Sequence, residues 1–120
     1  MGYQSFKELR VWQEAKKLAI EVYKITAEGK LSKDYSLKDQ IQKSAVSIAS
    51  NIAEGYERNS DKEFIRFLMI SKGSLSELRT QLEIAHEIGY FDSESFRDLE
   101  DRCMRLGAMM TKLIKYRKAD

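Results

Sequence analysis

Residues 60–89 read SDKEFIRFLMISKGSLSELRTQLEIAHEIG, and this stretch decides the fold. It opens with Ser60-Asp61-Lys62-Glu63, the pattern of a capping box, in which the serine hydroxyl takes the amide three residues on and the glutamate reaches back. It closes on Gly89, a residue type that enters the left-handed region without a Cβ clash and so ends helices readily. Between these marks, at 100° per residue, Phe64, Phe67, Leu68, Leu75, Leu78, Leu82 and Ala85 fall within about 100° of arc, the width of a core-facing stripe. The expectation is a helix over residues 61–88 with one buried face.

Working outward, the same signals recur. Ser5-Phe6-Lys7-Glu8 forms a second capping pattern and predicts a helix over 6–28 that stops at Gly29. After GKLSKDYS, the seam Leu37, Ile41, Ala45, Ile48 and Ile52 predicts a helix over 37–57. Ser93 is the expected cap of a helix over 94–118, whose inner side carries Phe96, Leu99, Cys103, Leu106, Met110, Leu113 and Ile114. Long helices joined by short breaks fold back on one another. The reading is therefore all-α: an antiparallel up-down-up-down four-helix bundle, a single domain over 1–120.

Composition narrows the classes. The chain has 120 residues, 21 Lys plus Arg against 19 Asp plus Glu, a formal charge of +2, one cysteine and no proline. One cysteine builds no disulfide framework, so an intracellular setting is expected. No apolar run approaches the ~18 residues of a membrane span. The opening MGYQSFKELRVWQ lacks the layout of a signal peptide, and Phe6 stands where an acylation signal needs Ser or Thr. The expectation is a cytoplasmic protein without membrane contact.

The first helix is greasier than one core requires. Val11, Trp12, Ala15, Leu18, Ala19, Ile20, Val22, Tyr23 and Ile25 spread over roughly 220°, where about 100° suffices. Exposed patches of that kind mark contact surfaces. A homo-oligomer is expected, with Val11, Trp12, Leu18, Ile20, Val22, Tyr23 and Ile25 as candidates for the subunit interface. Gly73 and Gly107 sit inside helices at a cost of about 1 kcal/mol each relative to Ala, which predicts close backbone approach there. The second helix carries Gln40, Lys43, Ser44, Ser47, Ser50, Asn51 and Glu54 opposite its seam. This face is read as a tight, partly polar helix contact in preference to a binding face.

Chemistry is sparse. Glu83-Ile84-Ala85-His86 matches the Glu-x-x-His pattern of di-iron bundles, yet such a site needs a second histidine and the chain has one. His86 is read as a flank residue with a wet polar tip. Cys103 lies on the core stripe, where it acts as a small hydrophobe. Asp98, Glu100 and Asp101 suit the first turns of the fourth helix, where negative charge is favoured. No catalytic constellation, metal site or cofactor is expected, and the chain is read as a non-enzyme.

Cations remain. From Arg102 to Lys118 the sequence holds Arg102, Arg105, Lys112, Lys115, Arg117 and Lys118 with no acid between them. Arg105, Lys112 and Lys115 share one side, so a phosphate backbone can run along them. Arg58, Lys62 and Arg66 bracket the second break, with Lys43 placed near them. Repeated in an oligomer, these patches would build a strong local field.

Certain strings are also familiar. Phe6-x-x-Leu9-x-Val11-Trp12-Gln13-x-Ala15, Tyr35-x-Leu37-x-x-Gln40-Ile41 and Ala45-Val46-Ser47-Ile48-Ala49-Ser50-Asn51-Ile52-Ala53-Glu54-Gly55 resemble a four-helix bundle family. Its members include proteins encoded by intervening sequences within bacterial 23S ribosomal RNA genes. Arg58-x-Ser60-x-x-Glu63-Phe64-x-Arg66-Phe67-Leu68, Gly73-Ser74-Leu75-x-Glu77-Leu78, Gln81-Leu82 and Gly89-Tyr90 extend the likeness over roughly residues 6 to 115. The resemblance implies an antiparallel four-helix bundle with no attached enzyme activity. It also implies kinship with the accessory variability determinant of diversity-generating retroelements, a positively charged homopentamer that binds nucleic acid. This chain departs from the family at Gln42-Lys43, where two adjacent basic residues are usual. It also has Ala49 in place of a usual proline, which should leave the second helix straighter, and its first loop lacks Phe-Pro.

The resulting expectation is a homo-oligomer, a pentamer by resemblance, that holds RNA or DNA backbone through Lys43, Arg58, Lys62, Arg66, Arg105, Lys112 and Lys115. The alternative is a scaffold that docks a protein partner and has no nucleic-acid role.

Overall fold

The computed structural model describes residues 5–119; the acylation reading at Met1-Gly2-Tyr3-Gln4 lies outside them. Four helices make up the described chain, and no strand occurs among these residues: α1 (Arg10–Thr26), α2 (Tyr35–Glu57), α3 (Asp61–Glu87) and α4 (Ser93–Lys118). Two 3-10 turns, Phe6–Glu8 and Lys30–Lys33, precede α1 and α2.

The helix ends show where local chemistry governs. Ser60 Oγ accepts the Glu63 amide at 3.1 Å, as expected, while the Glu63 carboxylate turns to Arg66 instead of back to the cap. Gly89 has φ +86°, and the Gly89 and Tyr90 amides donate to the carbonyls of His86 and Ala85, closing α3 with a Schellman motif. Three starts differ from expectation, and at α2 the helix simply opens two residues early, at Tyr35. Ser5 caps the 3-10 turn, its Oγ accepting from the Lys7 amide, and extended backbone at Leu9 delays α1 to Arg10. The cause is tertiary: Leu9 is buried, and Phe6 swings back to meet the Trp12 ring edge-on at 5.2 Å. At α4 the cap is Asp92, which accepts the Ser95 amide at 2.7 Å, so that Ser93 is free to bond His86. Asp34 caps α2 with one carboxylate oxygen and takes the Tyr90 hydroxyl on the other, tying together the two loops at one end of the molecule.

Neighbouring helices run antiparallel. Ser47 meets Ser74, and Gly55 meets Phe67, across α2 and α3. Arg79 meets Glu100, and Asp61 meets Arg117, across α3 and α4. On the fourth side Glu14 and Leu18 adjoin Arg105 and Leu106, and Lys24 adjoins Asp98. The bundle measures 47 × 19 × 19 Å, so its cross-section is nearly square. Its core is Ala15, Leu18 and Val22 from α1, Ile41, Ile48 and Ile52 from α2, Phe64, Leu68, Leu78 and Leu82 from α3, and Leu99, Cys103, Leu106 and Met110 from α4.

The α2/α3 contact is the tight one. A Cβ on Gly55 would stand 2.5 Å from Phe67 Cβ. Ser71 donates to the Ile48 carbonyl, Ser47 and Ser74 bond at 2.9 Å, and Asn51 donates back to Ser47. The hydroxyl-rich part of α2 therefore serves packing. A Cβ on Gly107 would stand 3.3 Å from Leu75 Cδ2, but the expectation for Gly73 is overturned, because among the described residues nothing beyond its own stretch of helix lies within 4 Å of the place its Cβ would occupy.

Candidate functional site

The first helix divides its apolar arc between two jobs. Val11, Leu18 and Val22 are buried inside the bundle's own core, and Ile25 packs half-buried against it, so none of the first three is open to an outside partner. This corrects the expected interface: α1 spends that part of the arc on α2 and α4 together. The remainder overflows on the α2 side. Trp12, Ile20 and Tyr23, joined by Phe6 and Ala19 and by Val46, Ala49 and Ala53 of α2, line an open groove of about 750 Å³. Ile20 and Tyr23 are each 48% exposed and Val46 42%. Lys16 and Lys24 stand on the groove wall, Lys16 over the Trp12 ring at 5.3 Å. The α2 contribution was not anticipated, although Val46, Ala49 and Ala53 at i, i+3 and i+7 carry a readable signal.

The basic candidates separate into groups. Arg58 and Arg66 converge on one aromatic: their guanidinium carbons lie 5.0 and 4.5 Å from the Phe67 ring centre. Each is also ion-paired within its own helix, Arg58 to Glu54 and Arg66 to Glu63, both at 3.0 Å. The hydrogen bond from Arg66 holds the Glu63 carboxyl below its ordinary value. Lys62 is exposed on the same turn. The end of α4 arrives beside it, where Arg117 bonds Asp61 at 2.6 Å and covers the Phe64 ring. Lys112 and Lys115 are exposed and have no ion pair with any described residue, whereas Arg105 pairs with Asp101 at 2.9 Å. Lys43 does not join the cluster: fifteen residues separate it from Arg58 on the same helix, about 22 Å. Tyr116, 74% exposed between Lys115 and Arg117, was not singled out from the sequence.

The remaining polar features are structural. Arg79 grips Glu100 with two hydrogen bonds, 3.1 and 2.6 Å, and lowers its carboxyl value. Burial pushes the Cys103 thiol up to about 12, which leaves it protonated and unreactive. His86 is less wet than expected. Its ring stacks on Phe96 at 4.6 Å, Nε2 meets Ser93 Oγ at 3.1 Å, and Nδ1 is sealed with no hydrogen-bond partner among the described residues. Glu83 is exposed, and among the described residues no group of three or more His, Cys, Asp or Glu is placed to hold a metal. No helix of these residues is long and apolar enough to cross a membrane.

The described residues thus form an all-helical bundle whose surface carries an apolar groove and clustered cations. Its particular place is given by comparison: residues 7–112 match the 23S rRNA-intervening sequence protein family, and the chain belongs to it. The fold is similar to the crystal structure of a protein of unknown function from the S23 ribosomal protein family of Bacteroides thetaiotaomicron. That likeness has a TM-score of 0.79 at 23% identity and covers 88% of this chain and 98% of the other. No curated protein matches the chain.

Proposed function

We propose that this chain is a non-enzymatic cytoplasmic bundle that assembles with copies of itself through the α1/α2 groove. On the cations the assembly brings together, it holds the phosphate backbone of RNA or DNA. The groove is the observation that carries the reading. Apolar area left in water forfeits about 25 cal/mol per Å², and large contiguous patches of that kind are contact surfaces. Family resemblance favours five copies. Lys62, Lys112 and Lys115 would supply unpaired charge, joined by Arg58, Arg66 and Arg105 once phosphate competes for their carboxylate partners; Lys43 would act separately. Phosphate contacts give affinity without reading sequence, and Tyr116 offers a ring for an unpaired base.

Titrating salt against binding to a structured RNA tests this. Binding at low salt that weakens steeply as salt rises is expected, since each neutralised phosphate releases counterions. No binding at low salt, or affinity indifferent to salt, contradicts it. A second reading, a scaffold that docks a protein partner, is favoured by the ion pairs that already occupy Arg58, Arg66 and Arg105. Under it, reversing charge at Lys112 and Lys115 leaves partner binding unchanged.

A further inference from the structure

The seam between α1 and α4 holds a cleft separate from the apolar groove and from the basic cluster around Phe67. It has a volume of about 340 Å³, with Arg10 and Glu14 on the α1 side and Arg102 and Arg105 on the α4 side. Buried Leu18 and Leu106, with half-buried Met109, give it an apolar floor. Three guanidinium groups against one carboxylate leave the lining with a net charge of +2.

Two of these arginines lack partners. Arg58, Arg66, Arg79, Arg105 and Arg117 each hold a carboxylate. The side chains of Arg10 and Arg102 make no ion pair, hydrogen bond or ring contact with any described residue. Water serves an exposed guanidinium such as that of Arg97. Arg102 is half-buried, and a guanidinium drawn out of water needs acceptors for its N–H donors. The nearby acids do not supply them. Asp98, one turn earlier on α4, borders the next hollow along the seam with Lys24, and Glu14 pairs with Lys17 at 3.6 Å. Arg10 adds a second imbalance. It is the first residue of α1, at the positive end of the helix dipole, and neither a side-chain cap nor an acid in the first turn offsets it there.

An anion in the cleft answers both groups. A guanidinium meets phosphate oxygens with parallel N–H donors. Two unpaired guanidiniums match a dianion, and a phosphate monoester carries close to two charges at neutral pH, whereas a phosphodiester carries one. The floor suits a flat apolar body, since a thioether such as that of Met109 packs well on an aromatic ring. We infer that the α1/α4 cleft binds a terminal phosphate monoester on an aromatic or nucleoside body, Arg10 and Arg102 gripping the phosphate and the floor taking the body. Arg105, already paired with Asp101, adds positive field. Glu14, the one like charge in the lining, weakens the grip. A free nucleotide and the phosphorylated end of a strand offer this same chemistry. The inference does not rest on the backbone reading above, because an internal phosphodiester brings one charge and is flanked by sugar on both sides.

Isothermal titration calorimetry of the full chain with phenyl phosphate tests this, with methyl phenyl phosphate as the singly charged control. One phenyl phosphate per chain is expected at neutral pH, bound at least ~10-fold more tightly than the diester, and weakening below about pH 6, where the monoester takes up a proton. Arg10→Gln and Arg102→Gln should each weaken it about 10-fold or more, and Glu14→Gln should tighten it. Arg97→Gln, which removes an exposed cation of α4 outside the cleft, should leave it unchanged. Circular dichroism first shows that each variant keeps its helicity. Two further ligands identify the source. A free nucleotide is the source if adenosine 5′-monophosphate binds more tightly than phenyl phosphate while a short single-stranded RNA binds equally with a 5′-phosphate or a 5′-hydroxyl. A strand end is the source if the 5′-phosphate tightens RNA binding and Arg102→Gln removes that gain. Equal affinity for monoester and diester, equal losses at Arg97 and Arg102, or no binding of millimolar phenyl phosphate overturns the cleft as a site. Structured RNA whose binding ignores salt strikes only the backbone reading, so the two failures are told apart.

Discussion

Gly55 of α2 lies against Phe67 of α3 so closely that an added Cβ would sit 2.5 Å from Phe67 Cβ, inside any real contact distance. The same phenyl ring carries both Arg58 and Arg66. One close approach thus joins the tightest helix pair to the densest basic cluster.

Gly55→Ala should therefore destabilise the bundle by about 1–3 kcal/mol, the usual cost of overpacking, in spite of alanine's better helix propensity. Gly73→Ala, measured in the Ile20→Arg background to keep the chain monomeric, should stabilise it by about 1 kcal/mol, since the added methyl meets open space. Urea unfolding followed by circular dichroism checks both signs, and equal effects at the two glycines would contradict the packing described.

The Arg79–Glu100 pair predicts an acid-dependent contribution. Hydrogen bonding from Arg79 lowers the Glu100 carboxyl from its ordinary 4.5. A group depressed by folding stabilises above its unfolded value, and that stabilisation is lost as pH falls through the folded one. Arg79 is 42% exposed, so solvent screening keeps the effect small. Glu100→Gln should cost about 0.5–1 kcal/mol at neutral pH, and the gap from the parent should shrink as pH drops below 4.5. Urea midpoints for the two proteins at neutral and acid pH measure it.

Cys103, fully buried with its thiol pushed up to about 12, should resist a thiol-labelling reagent near neutral pH in the folded protein. It should label rapidly once denaturant unfolds the chain. Fast labelling of the native state would contradict the core placement.

On the nucleic-acid surface, Lys112→Glu with Lys115→Glu should weaken RNA binding at every sequence tested and flatten its salt dependence. Each lost phosphate contact is worth about 0.7–0.9 in the slope of log affinity against log salt. Lys43→Glu, about 22 Å along α2 from Arg58, should act additively with that pair.

The sequence was most informative where the deciding interactions are local. Ser60 and Gly89 end α3 where their residue types predict, because a cap is made within a few residues. Ser5 misled, because Phe6 and Leu9 answer to Trp12 and the core and not to helix propensity. The greasy arc of α1 was countable, but how neighbours share it was not. Val11, Leu18 and Val22 turn inward, and Val46, Ala49 and Ala53 from another helix complete the groove. Contacts such as Asp61 with Arg117 and Asp34 with Tyr90 join residues 56 positions apart, beyond the reach of any helical period.

Sedimentation equilibrium of the unmodified chain at micromolar concentration tests the groove as a subunit contact most directly. A particle several times 14.0 kDa is predicted, falling to a single subunit on Ile20→Arg. A lone 14.0 kDa species in the unmodified protein would contradict it.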